Sequence, residues 1–129
     1  MVRAALLVLL GAPVAAQETV PAPVYFVEGV FASATAQAVA LACPTLSVDP
    51  RAAAALSGGI LARLTEDGFD PDNLLQRMED PAPAIAALQD AFLARHGLAE
   101  GAASELACAA GEAEIAEESA VGDLLVEVE

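Results

Sequence analysis

A chain of 129 residues with nineteen acids, five arginines and no lysine carries a net charge of −14. That balance excludes the phosphate-neutralising surface that nucleic-acid binding requires and disfavours docking on anionic lipid. Its 57% apolar content is built largely from alanine, which favours helix but buries little area, so a domain of this length has a thin core that a covalent tie would strengthen.

The first sixteen residues have the layout of an export leader. Arg3 supplies a positive start, Ala4 to Leu10 is unbroken apolar chain, and Gly11 and Pro13 interrupt it. Val14-Ala15-Ala16 puts small or β-branched residues where a signal peptidase reads, which predicts cleavage after Ala16. The apolar run is shorter than the roughly 20 residues that span a bilayer. No cysteine near the cleavage point offers a lipid attachment. Residues 1–16 are therefore read as a signal peptide, the compartment as the periplasm, and the mature protein as having no membrane anchor. Removing Arg3 with the leader leaves four arginines against nineteen acids. An acidic surface of this kind serves solubility first.

Residues 17–23 hold two prolines and no pattern, and read as a flexible N-terminal arm. Residues 24–129 read as a single helical domain. A first helix is predicted from about Val24 to Ala42, with Val27, Phe31, Ala34, Ala38 and Leu41 at helical spacing. Glu28 is its only charge, so most of its circumference must be covered or meet a partner. Cys43-Pro44 ends it, because the residue before proline is pushed out of the α region.

Asp49-Pro50 starts a second helix as cap and first helical residue. Leu56, Ile60 and Leu64 form its buried stripe, and Gly68 marks its stop. Gly58-Gly59 inside it costs roughly 1 kcal/mol per glycine against alanine, which suggests a kink or close approach of another backbone. Asp70-Pro71 starts a short helix to about Glu79. Asp80-Pro81 starts a fourth, with Ile85, Leu88, Phe92 and Leu93 inward and Gly97 as its stop. No sustained period-two alternation predicts a sheet.

A fifth helix is predicted from about Ala102 towards the C-terminus. Cys108, Gly111, Ile115, Ser119, Gly122 and Leu125 recur three or four apart on one stripe, with Glu112, Glu114, Glu117 and Glu118 on the flanks. Two cysteines in an exported chain imply one disulfide, Cys43–Cys108. In the chain-entropy picture a loop of this order is worth roughly 4 kcal/mol. Their wide spacing favours a structural role over redox chemistry, and bridging them sets the fifth helix against the first. The fold class is all-α: a compact array of four or five helices closed by one disulfide.

The run from Cys108 through Gly111, Glu114, Ile115, Ser119 and Gly122 to Leu125 resembles the C-terminal signature of a family of small exported bacterial proteins, domain-of-unknown-function family 5333. Cys43-Pro44 and Gly68-Phe69 are similar to that family's earlier landmarks. The resemblance covers roughly Tyr25 to Leu125. It implies export, the disulfide and one helical domain, with Gly111, Glu114, Ile115, Ser119 and Gly122 as structural motif residues. It implies no activity.

Candidate chemistry is sparse. The acidic loop Glu66 to Asn73 fails the calcium-loop template, since Leu75 and Pro81 fall where glycine and a bidentate acid are needed. His96 is the single histidine and lacks partners for a zinc site; at a helix end it can meet the last carbonyls. Ser104 and Ser119 sit in no nucleophile elbow. Glu114 and Glu118, one turn apart, are read as a solvated face, or Glu114 as the partner of an arginine that fixes helix register. No catalytic residue, cofactor or metal ligand is assigned. The leading expectation is a non-catalytic interaction or structural module, binding an envelope protein or a second copy of itself. Alternatives are a small ligand-binding domain or an enzyme with an unrecognised site, and, more weakly, divalent-cation binding by the acidic surface.

Overall fold

In the computed structural model, the described residues form five α-helices: α1 (Val24–Ala42), α2 (Pro50–Glu66), α3 (Leu74–Arg77), α4 (Ala82–His96) and α5 (Ser104–Ala116). Residue 11, residues 18–99 and residues 102–129 are described; the leader lies largely outside them. A short antiparallel pair, β1 (Leu46–Val48) and β2 (Leu125–Glu127), joins the chain after α1 to the C-terminus, with Ser47 opposite Val126. A 3₁₀ turn, Gly122–Leu124, leads into β2. The fold is mostly helical, as the sequence predicts. The small sheet corrects the expectation of none: strands of three residues are too short to show alternation, and they are held by long-range pairing that no local signal reveals.

The helix starts follow local chemistry. The Asp49 carboxylate accepts from the Arg51 and Ala52 amides at 2.9 and 3.4 Å, with Pro50 as the first residue of α2. The Asp80 carboxylate accepts from the Ala82 amide at 3.0 Å. The predicted start at Asp70-Pro71 is a turn instead: the Asp70 carboxylate accepts from the Asp72 and Asn73 amides at 2.9 and 3.0 Å, and α3 begins only after Asn73. Helix α3 is consequently one turn, shorter than predicted. Gly97, at φ +62°, closes α4. The segment read as a loose arm is pinned at Val20, which bridges to Met78: its amide donates to the Arg77 carbonyl and its carbonyl accepts from Glu79.

Helix α1 is the organising element, packed by α4, α5, β1 and α2. It is also the one described helix long and apolar enough to cross a membrane by length and composition. Its buried residues are Val27, Gly29, Ala32, Thr35, Ala36 and Val39. The predicted stripe is correct at Val27 and wrong at Ala34, Ala38 and Leu41, which are exposed, Leu41 at 85%. A helix apolar all round gives period but no phase. The inward face is set instead by the small residues that let α4 and α5 approach.

Cys43 and Cys108 are bonded, with their Cα atoms 5.0 Å apart across 65 positions of chain, inside the ordinary range for a disulfide. The bond fastens the end of α1 to α5, as the sequence predicts. Around it Ala36, Val39, Leu46, Phe92, Ala110 and Leu124 form the main core. A second, smaller cluster of Leu64, Phe69 and Met78 lies under Tyr25, Phe26 and Ile60.

Helix α5 ends at Ala116, well before the predicted run. Glu118 takes a left-handed conformation at φ +52°, and the chain turns back on itself. Ser119, Gly122 and Leu125 are thus not on a helical stripe, although they remain near it. A left-handed non-glycine residue is uncommon, and nothing in the local sequence announces it.

Candidate functional site

The densest polar cluster forms where this reversal meets the end of α4. Glu114, on the last full turn of α5, is 1% exposed, which corrects its reading as a flank residue. Its Oε1 accepts from Arg95 and from His96 Nε2, the latter at 2.7 Å. Its Oε2 accepts from the Ser119 hydroxyl, and Ser119 Oγ in turn accepts from the Gly122 amide at 3.0 Å. Arg95 and His96 are consecutive at the C-terminus of α4, where cations also suit the helix dipole. The expectation that Glu114 meets an arginine is correct, and the arginine is Arg95. His96 meets that carboxylate, and its ring packs on Phe92 with centroids 4.6 Å apart.

Burial by itself would raise the Glu114 carboxyl. The hydrogen bonds from Ser119 and His96, with the positive charge of Arg95, outweigh it and hold the group below the ordinary carboxylate range. A carboxylate so saturated is a poor base near neutral pH. Ser119 donates to the carboxylate rather than to a histidine, so the order of contacts is not that of a nucleophile–base pair. The arrangement neutralises a buried charge and locks the α4 end to the C-terminal turn.

The glycines of the predicted motif work by proximity. A Cβ on Gly122 would lie 2.0 Å from the Glu114 carbonyl oxygen, and one on Gly111 would lie 2.3 Å from Leu46 Cδ1 and 2.8 Å from Val39 Cγ1. Ile115 packs against the main core. The structure therefore gathers Gly111, Glu114, Ile115, Ser119 and Gly122 around one corner and adds Arg95 and His96. Gly58 and Gly59 behave otherwise: a Cβ at either meets open space, and α2 runs through them.

Two grooves flank the exposed side of α1. One, of about 490 Å³, lies between α1, α4 and the start of α5, lined by Ala34, Thr35, Ala38, Phe92, Leu93 and Leu98 among others. The other, of about 480 Å³, lies between α1 and α2, lined by Phe26, Gly29, Val30, Ile60, Leu61 and Leu74 among others. No residue of the Glu114 cluster lines either. Among the described residues no three His, Cys, Asp or Glu side chains converge as a metal group.

A small helical domain tied by one disulfide, with a buried ionic corner and an open apolar helix, is the class these features define. The chain belongs to the family of unknown function DUF5333, whose model matches residues 18–126. No curated protein and no solved structure matches it.

Proposed function

We propose that this protein is a non-catalytic binding module of the bacterial periplasm, and that its working surface is the outer side of α1. One observation carries the reading. A nineteen-residue helix with a single charge buries six residues and leaves Val24 and Leu41 at 70% and 85% exposure beside two apolar grooves. Val24 and Leu41 stand at the two ends of α1, and the exposed Ala34 and Ala38 between them line the larger groove; exposed apolar surface of this kind marks interaction sites. The Glu114 cluster supports the non-catalytic part, because its polar groups are consumed by one another. The disulfide suggests an oxidising compartment, and the apolar start of the chain is consistent with a signal sequence.

The partner is an envelope protein or a second copy of the chain. A photo-crosslinking residue placed at Leu41 or Ala38 in the exported protein is expected to give one discrete adduct in intact cells. The same residue at exposed Gln76 of α3 gives none. Sedimentation separates self-association from a foreign partner. Equal labelling at all three positions, or none at any, rejects the reading. Intact mass of the periplasmic protein is expected to begin at Gln17 and to lack both free thiols.

A further inference from the structure

The fold uses three of its four described arginines internally. Arg63 covers the Tyr25 ring, Arg77 donates to the Gly68 carbonyl and Arg95 pairs with Glu114. The Arg51 guanidinium has no ion pair and no aromatic partner among the described residues, in a chain whose net charge is −14. It stands in the first turn of α2, and Glu66 is the last residue of that helix. Both are exposed, and Glu66 has no ion pair among the described residues either. Each charge sits at the wrong end of the helix: the positive N-terminus disfavours a cation, and the negative C-terminus disfavours an acid. At helical rise the two are about 22 Å apart along α2, so they cannot neutralise each other within one copy.

An antiparallel neighbour reverses both penalties. It sets Arg51 beside the acidic, dipole-negative end of the second helix, and Glu66 beside its positive end. A second copy of α2 supplies that neighbour. Arg51, Ala54, Gly58, Leu61, Ala62 and Thr65 recur three or four apart on one face, and all are exposed, Leu61 at 62%. No acid lies between Asp49 and Glu66, so two copies can bring this face together without the repulsion that their net charges impose elsewhere.

Arg51 and Thr65 are equally far from Gly58 along the helix, as are Ala54 and Ala62. A two-fold axis through Gly58 therefore sets Ala54 opposite Ala62, and Arg51 opposite Thr65 and next to Glu66, on both sides of the axis. A Cβ at Gly58 meets open space. The described fold thus does not require glycine there, and alanine would favour the helix. The bare position lets a second backbone come close.

We infer that α2 pairs antiparallel with α2 of a second copy across Gly58, with Arg51 of each copy on Glu66 of the other. This surface is separate from the outer side of α1, and the inference does not depend on that side being a binding surface. The contact is one helix wide, so the dimer is expected to be weak and to form in the micromolar range.

The test is sedimentation equilibrium of the exported, disulfide-bonded protein across that range, where a monomer–dimer equilibrium is expected. Arg51→Glu places like charges at both contacts and is expected to weaken the dimer at least about tenfold. Glu66→Arg is expected to do the same. An equal mixture of the two variants makes both contacts attractive again, and is expected to form a heterodimer within about threefold of the wild-type affinity. Gly58→Gln fills the axis and is expected to abolish the dimer while raising the thermal midpoint of the monomer, because a glycine is lost from a helix interior. Thermal melts of all three variants report that the fold is intact.

The inference is overturned by a monomer at every concentration, by a dimer indifferent to Arg51→Glu or to Gly58→Gln, which would belong to another face, or by a mixture that stays monomeric. Crosslinking at Leu41 reports on α1, so either reading can fall while the other stands.

Discussion

The two hydrophobic clusters of this domain are held by different means. The larger, around Ala36, Val39, Leu46 and Leu124, is fastened by a covalent bond and by a buried carboxylate with three donors. The smaller, around Leu64, Phe69 and Met78, is rimmed by exposed polar contacts: the Tyr25 hydroxyl donating to Asp67 at 2.7 Å, Arg63 over the Tyr25 ring at 4.0 Å, and Arg77 donating to the Gly68 carbonyl. Solvated contacts of that kind contribute little. An alanine-rich core cannot gain much from area alone, so the chain concentrates its strongest restraints at one corner and leaves the other end lightly tied.

Replacing both cysteines by alanine tests the comparison most severely. About 4 kcal/mol of stability is expected to go, read as the shift in denaturation midpoint, with hydrogen exchange rising first in α5 and β2. Gly122→Ala comes next, at about 3 kcal/mol, because the added carbon meets a backbone oxygen that has no alternative position. A midpoint shift below a tenth of that would show that the C-terminal turn is loosely held.

Glu114→Ala is expected to cost about 2–3 kcal/mol, less than a fully enclosed pair because the Arg95 side chain is 56% exposed. Its pH signature has a definite sign. The folded carboxyl lies below its ordinary 4.5, so the folded state binds that proton less readily than the unfolded one. The stabilisation is complete above 4.5 and drains away as pH falls through the lower folded value. Wild-type and Glu114→Ala stabilities should therefore converge on acidification below 4.5, and parallel curves would refute the role of this group.

The smallest effect belongs to the lightly tied end. Burial of the ring and the hydrogen bond to Asp67 push the Tyr25 hydroxyl up to about 12. As the single tyrosine, it can be titrated by its ultraviolet absorbance. Asp67→Asn should move the midpoint down towards 10, with almost no change in unfolding. A large loss of stability would place that contact among the strong restraints.

Legibility along the chain followed the range of the interactions. The starts at Asp49 and Asp80 and the stop at Gly97 were readable because cap and proline act within a few residues. The Cys43–Cys108 bond was readable because two cysteines permit one pairing. The phase of α1 was not, since Ala34 and Ala38 are as apolar as Ala32 and Ala36 and only packing against α4 and α5 chooses between them. The burial of Glu114 was half readable: an arginine partner was expected, but Arg95 and His96 reach it across the α4–α5 connection, and Ser119 only because Glu118 reverses the chain.

The sulfur bridge encloses α2, α3 and α4 in a closed ring from which the two tails emerge side by side. A protease that cuts once anywhere in that ring leaves the pieces tethered, so the nicked molecule gains only the mass of one water until a reductant separates the pieces. A cut at exposed Leu75, near the middle of that loop in sequence, leaves α1 fastened to α5.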